Sequence, residues 1–205
     1  MDKQEKKKSR KRAVIELAIF SAVFLGLYAT GTLPHVAGFV QGLIVKTRLI
    51  RPDSEPDFNG PKADYNFTLV SADGQRVPFS QFKGKTVFLN FWASWCPPCV
   101  AEMPDIQALY ERAKTDSDIV FVMVTADKKM AKAQKFFEKK GYDMPLYKNV
   151  SALPAVFNHS SIPSTFVISP SGQVTFSHSG MAYYNTDSFL EMLQTLGKTQ
   201  KNSGH

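Results

Sequence analysis

The chain has 205 residues, 43% hydrophobic and 21% charged, which suits one well-packed domain with an appendage and is too short for two comfortable domains. The composition is neither disordered nor collagenous, and two cysteines exclude a disulfide-stapled miniprotein. Residues 1–12 hold seven of the 25 basic and two of the 18 acidic residues, so the formal charge of +7 leaves a net of only +2 on the rest, a targeting pattern rather than a nucleic-acid-binding surface.

Directly after the basic tail, residues 13–33, AVIELAIFSAVFLGLYATGTL, carry one charge, Glu16, near the first turn. As a helix this run is about 31 Å long and matches a bilayer core. The positive-inside rule keeps the tail cytoplasmic and sends everything after Leu33 across the membrane. A cleaved signal peptide is the competing reading, with Ala29 and Gly31 as small residues for cleavage; the run is longer than a usual signal core, which favours a retained anchor. No cysteine follows it that would take a lipid. In residues 34–50, Val36, Phe39, Val40, Leu43 and Ile44 have helical spacing, either for an amphipathic segment on the outer leaflet or for a helix packed on the domain. Three prolines and a glycine in residues 51–62 read as a linker, with a domain boundary near 61.

Within the domain, residues 65–70 alternate like a strand, and a turn at 71–74 leads to a short returning strand near Val77. Residues 80–84 read as one helical turn closed by Gly84. Residues 86–92, TVFLNFW, are a strand buried on both faces. A helix follows to about Lys114, then a second buried strand at 119–125, a βαβ unit and hence a parallel pair. A further helix is expected over 128–140, capped by Gly141. Residues 164–169 and 174–178 form an antiparallel hairpin, and Ser188 with Glu191 makes a capping box for a last helix ending near Gly197. The order is β-β-α-β-α-β-β-α, without an internal repeat.

Both cysteines, Cys96 and Cys99, fall in one C-x-x-C between a buried strand and a helix. There Cys96 meets the positive end of the helix dipole and unpaired N–H groups, which stabilise a thiolate; such sites lower a thiol pKa from about 8.5 towards 7 or below. Cys99 lies one turn later, beneath it. A C-x-x-C is also half of a zinc site, but that needs a second ligand pair, and His35, His159, His178 and His205 are scattered singly. Redox chemistry is the preferred reading, and no metal site is expected.

The segment FWASWCPPC at 91–99, the downstream IPSTFVI at 162–168 and Gly180 after the hairpin resemble the thioredoxin superfamily. The anchor, Asp73-Gly74, Lys83-Gly84-Lys85, the Pro97-Pro98 dipeptide and Glu102-Met103-Pro104 resemble its TlpA/ResA-like extracytoplasmic branch, over residues 61–197, with 126–160 similar to that branch's helical insert. The resemblance implies an α/β thioredoxin-like fold, a mixed central sheet flanked by helices, behind an N-terminal transmembrane helix. It implies Cys96 as attacking thiol, Cys99 as resolving thiol and Pro163 as a cis-proline, although X–Pro bonds are cis in only about 5–6% of cases. It implies that Ile162 offers its backbone to a substrate strand; Trp95, Pro97 and Pro98 beside the cysteines are further substrate-binding candidates, with rim packing the alternative for Trp95. Glu102, at i+3 from Cys99, matches the branch's acidic residue and would exchange a proton with it; the alternative is a surface carboxylate. Asn90 stands where cytosolic thioredoxins carry a buried Asp, which makes Glu102 the substitute.

The resulting expectation is an anchored, extracytoplasmic thiol:disulfide oxidoreductase in the cell (inner) membrane, with segments 1–12 (cytoplasmic tail), 13–33 (anchor), 34–60 (linker), 61–197 (domain) and 198–205 (tail). A reductase is favoured, with no cofactor. Its partners are disulfide-containing proteins, a membrane thiol transporter as electron donor, and the bilayer through 13–33; in similar proteins the targets include apocytochrome c and copper-site proteins. An oxidase or isomerase, or a copper-delivery protein using Cys96, Cys99 and His159, are the alternatives. Lys128, Lys132, Lys135 and Lys139 form a stripe read as a solvated face, Trp92 reads as core packing, and Pro104 is expected to kink its helix.

Overall fold

A computed structural model describes residues 55–199. The expected anchor at 13–33, the segment at 34–50 and the tail from 200 lie outside the described residues. Among the described residues no helix is long and apolar enough to cross a membrane.

Seven strands form one sheet: β1 (Thr68–Ser71), β2 (Arg76–Pro78), β3 (Thr86–Trp92), β4 (Ile119–Thr125), β5 (Leu146–Asn149), β6 (Ser164–Ile168) and β7 (Val174–Ser179), in the spatial order β2-β1-β5-β4-β3-β6-β7. Among the described residues three α-helices accompany them: α1 (Pro97–Ala113), α2 (Met130–Lys140) and α3 (Asp187–Thr199). The β3-α1-β4 unit is parallel as expected, and β6 pairs antiparallel with both β3 and β7. The sheet is therefore mixed.

The expected order is two strands short. One is a miscount, since residues 65–70, the stretch near Val77 and residues 86–92 each read as a strand before α1. The other, β5, is four residues long, follows Pro145 and is only half-buried over three of its positions, so it shows no alternation. Its place comes from outside itself, wedged parallel to β4 and antiparallel to β1. The cap of α3 also differs: Thr186, not Ser188, accepts the Phe189 N–H through Oγ1 at 3.1 Å. Gly141 closes α2 in the left-handed region at φ 69°, as a glycine C-cap does. Helix α1 runs through Pro104 without a break.

The part of the expected linker at 57–61 lies against the edge strand β7. The Asp57 N–H donates to the Thr175 carbonyl at 2.8 Å, and the Val174 N–H donates to Pro61 at 2.9 Å. Only glycine permits this approach, because a Cβ on Gly60 would stand 2.0 Å from the Val174 carbonyl oxygen. These contacts occupy a strand edge that would otherwise be open to pairing.

All seven residues of β3 are buried, and its period-two alternation divides the core. Phe88 and Trp92 join Met103, Ile106 and Leu109 of α1 and Phe189 and Leu193 of α3 on one face. Val87, Leu89 and Phe91 join an aromatic group on the other, with Phe67, Phe79, Phe82, Phe157 and Phe166. Phe79, fully buried in a short 3₁₀ turn at Phe79–Phe82, is the hub of that group. Its ring stacks on Phe67 at 4.3 Å and meets Phe82 and Phe157 edge-on at 5.5 and 5.9 Å. Phe79→Ala is expected to cost about 3–5 kcal/mol in denaturant melts. Phe58→Ala, at a position 56% exposed, should stay within about 0.5 kcal/mol.

Candidate active site

Strand β3 ends at Trp92, and a tight turn closed by the Cys96 N–H on the Ala93 carbonyl, at 3.2 Å, delivers the chain to α1. Cys96 is the N-cap of that helix, with extended backbone at φ −91° and ψ 108°. Prolines follow at the first two helical positions, where a missing N–H removes no helical bond. The Cys99 N–H therefore points back to Cys96 Sγ at 3.3 Å. This is the N-cap bond that serine or aspartate makes elsewhere, with sulfur as acceptor. Cys96 and Cys99 are joined in a disulfide with their Cα atoms 5.3 Å apart.

Cys96 is 4% exposed and Cys99 fully buried, while the neighbouring Trp95 is 64% exposed. Pro97 is exposed and Pro98 half-buried. Across from the disulfide runs the loop into β6. The Ile162–Pro163 peptide is cis, and the Ile162 carbonyl oxygen stands 3.7 Å from Cys96 Sγ. Strand register and loop thus bring Trp95, Cys96, Pro97, Pro98, Ile162 and Pro163 to one end of the sheet.

Glu102 is fully buried, so the surface-carboxylate alternative is overturned. One turn beyond Cys99, its side chain points inward under β3. Alternation puts Asn90 on the face of β3 that α1 covers, and Asn90 Nδ2 donates to Glu102 Oε1 at 3.1 Å and to Thr165 Oγ1 at 2.9 Å. Thr165 is the direct cross-strand partner of Asn90. Tyr184 adds a donor to Thr165 Oγ1 at 2.9 Å, and the Ala182 N–H donates to Glu102 Oε2 at 3.3 Å. Thr165, Ala182 and Tyr184 escaped the sequence reading because they approach from 75 or more residues away; alternation along 164–168 is the one available signal, and it reaches only Thr165.

Burial is the largest influence on Glu102, pushing its carboxyl from 4.5 up to about 8, against the pull of the Asn90 and Ala182 bonds. Loss of water disfavours the charged form. At neutral pH the acid is mainly protonated in this disulfide state. Asn90 Oδ1 is buried and unpartnered; a reversed amide would present that oxygen to the Glu102 O–H, so Asn90 can serve either protonation state.

His159 is engaged by Phe91 and Phe157 rather than by the cysteines. Its ring lies on Phe91 at 4.5 Å and its Nδ1 is 3.0 Å from the Phe157 carbonyl. Both of those residues belong to the aromatic face of the sheet, while Cys96 and Cys99 pack on the helical face. Among the described residues no cluster of three or more His, Cys, Asp or Glu is arranged to hold a metal.

Comparison with known proteins agrees with this geometry. The Redoxin family model matches residues 53–192. The thiol-disulfide oxidoreductase ResA of Bacillus subtilis is 31% identical over 140 residues, covering 68% of this chain and 76% of that protein. ResA of Halalkalibacterium halodurans is 30% identical over 132 residues, covering 63% and 74%. A solved structure from Chlorobium tepidum, described as the thiol:disulfide interchange protein DsbE, is 25% identical with a TM-score of 0.57, covering 70% of this chain and 97% of that one. The chain belongs to the Redoxin family, among its TlpA/ResA-like, thioredoxin-fold thiol:disulfide oxidoreductases.

Proposed function

We propose that Cys96 and Cys99 are the working dithiol of a membrane-tethered, extracytoplasmic disulfide reductase. The observation that carries this reading is the stacking of three groups along one helix end: Cys96 at the N-cap, buried Cys99 one turn on, and buried Glu102 below. The Cys96 thiolate, stabilised by the Cys99 N–H and the helix dipole, attacks a substrate disulfide and releases one substrate thiolate. Cys99 then attacks the Cys96 sulfur of the mixed disulfide, closing Cys96–Cys99 and releasing the second thiolate. Two electrons pass from the dithiol to the substrate.

Cys99 needs help to lose its proton, since burial disfavours a thiolate. Glu102 is the acceptor, and a carboxyl near 8 is matched to a buried thiol and to neutral pH. The protonated Glu102 of the disulfide state is then the group that holds the proton Cys99 gave up. Reduction of the disulfide returns it. The Ile162 backbone and the exposed Trp95 ring border Cys96 and form the docking edge for the substrate chain.

Tethering rests on the apolar run at 13–33 and the basic tail before it. In an oxidising compartment a reductase must be recharged, so a membrane thiol transporter is the fitting electron donor. The substrates are disulfide-containing proteins, with apocytochrome c and copper-site proteins as candidates. An oxidase would use the same motif at a higher potential.

In the full chain, Cys99→Ser should accumulate mixed disulfides through Cys96, recovered in the membrane fraction on non-reducing gels. Absence of adducts while Cys96 is intact contradicts the roles, and adducts confined to the soluble fraction contradict the tether.

The Glu102 shift sets a pH dependence. The folded disulfide form holds the proton up to about 8 and the unfolded chain releases it near 4.5, so folding stability should fall as pH rises through that window, by a few kcal/mol in all. Glu102→Gln should flatten the fall. Denaturant melts at pH 5, 7 and 9 check this, and an unchanged slope in the variant would remove Glu102 as its source.

A further inference from the structure

Outside the Glu102 network, Asp127 is a second fully buried carboxylate among the described residues. It lies two residues past the end of β4, and the proposed chemistry leaves it unused. Both of its oxygens are engaged. The Ser94 N–H donates to Oδ2 at 2.9 Å and the Ser94 hydroxyl to Oδ1 at 2.8 Å. Thr125 Oγ1 donates to Oδ2 at 2.9 Å and accepts the Asp127 N–H at 3.1 Å. The Lys148 ammonium donates to the Asp127 backbone carbonyl. Three donors thus converge on the two carboxyl oxygens.

Ser94 is the second residue of the turn that ends at Cys96. That turn is closed by the Cys96 N–H on the Ala93 carbonyl at 3.2 Å, and the sheet ladder reaches it through the Ala126 N–H on the Trp92 carbonyl at 2.7 Å. Trp95, the third residue, is 64% exposed and anchors little by packing. In the disulfide state the Cys96–Cys99 bond also ties the turn. Opening the disulfide removes that tie, whereas the bonds from Ser94 to Asp127 do not pass through it.

We propose that Asp127 is a positioning residue for the thiol–disulfide reaction: clamped to Ser94, it fixes the Ala93–Cys96 turn and thereby holds the Cys96 sulfur at the N-cap of α1 once the disulfide is open. This rests on Cys96 being the attacking thiol. The clamp keeps the sulfur on the Cys99 N–H, 3.3 Å away, where the thiolate is stabilised. Without the clamp the turn loosens and the thiol becomes less acidic.

A plain charge effect has the opposite sign. A nearby anion disfavours a thiolate, so removing the Asp127 charge alone would make Cys96 more acidic and faster to react. The direction of the change therefore separates clamp from charge.

The test is the rate of iodoacetamide alkylation of Cys96 between pH 5 and 9 in the full chain carrying Cys99→Ser, which leaves one thiol. Ser94→Ala and Asp127→Asn are added singly and together, with thermal melts to check folding. Clamping predicts slower alkylation at pH 6 in both, by roughly three- to tenfold, with the pH midpoint raised by about 0.5–1 unit. It also predicts a double variant no slower than the slower single, because both changes break one unit. Ser94→Ala keeps the buried charge and serves alone if Asp127→Asn does not fold. Faster alkylation in Asp127→Asn, or an unchanged midpoint with only a lowered melting temperature, would overturn the proposal. If Cys96 in the Cys99→Ser parent reacts with the midpoint of an ordinary thiol, the role of Cys96 itself fails, and that result is distinct.

Discussion

Strand β3 is the constraint on which the site depends. Among the described residues it is the one strand buried along its whole length between a parallel and an antiparallel neighbour, with β4 on one side and β6 on the other. Burial on both faces keeps Thr86–Trp92 apolar apart from Thr86 and Asn90, and the alternation then fixes what each residue meets. Phe88 and Trp92 seat the helices, Val87, Leu89 and Phe91 seat the aromatic group, and Asn90 is the polar interruption on the helical face. The same strand aims the chain at the turn that carries Cys96. A register slip of one residue would reverse every one of these assignments.

The helical face is otherwise lined by apolar side chains, and this is what shifts the buried carboxyl. In water Glu102 would be an ordinary acid, ionised well below neutrality. Enclosed by β3, α1 and the loop around Ala182, it holds its proton to about 8. Two N–H donors keep the ionised form accessible, so that the group can titrate at all. Desolvation and hydrogen bonding pull in opposite directions, and their balance leaves the acid at about 8.

Much of this was legible in the residues themselves. The apolar run at 86–92, the C-x-x-C at the strand-to-helix junction and the hairpin around Gly172 carry local signals that the fold obeys. The spacing of Glu102 from Cys99 put both on one helix face. Its burial was not legible, because that depends on Ala182 and on Asn90 reaching it from elsewhere in the chain. The cis form of Ile162–Pro163 followed from the family resemblance, whereas local preference alone favours trans. Strand β5 is not legible because four residues beside a proline hold too little pattern, and the cap of α3 is ambiguous because Thr186 and Ser188 are both good caps two residues apart. Asp127 carried no motif at all; its contact with Ser94 spans 33 residues and exists only once β3 and β4 are paired.

Direction of electron flow is the point at which the geometry meets function most directly, because the same disulfide serves a reductant or an oxidant according to how far the thiolate state is favoured. Equilibrating the full chain with a thiol redox buffer and quantifying the Cys96–Cys99 disulfide gives the reduction potential of the couple. A value near or below about −230 mV, in the thioredoxin-to-glutaredoxin range, is what a reductase requires. A value near about −120 mV, that of a strong oxidant such as DsbA, would contradict it.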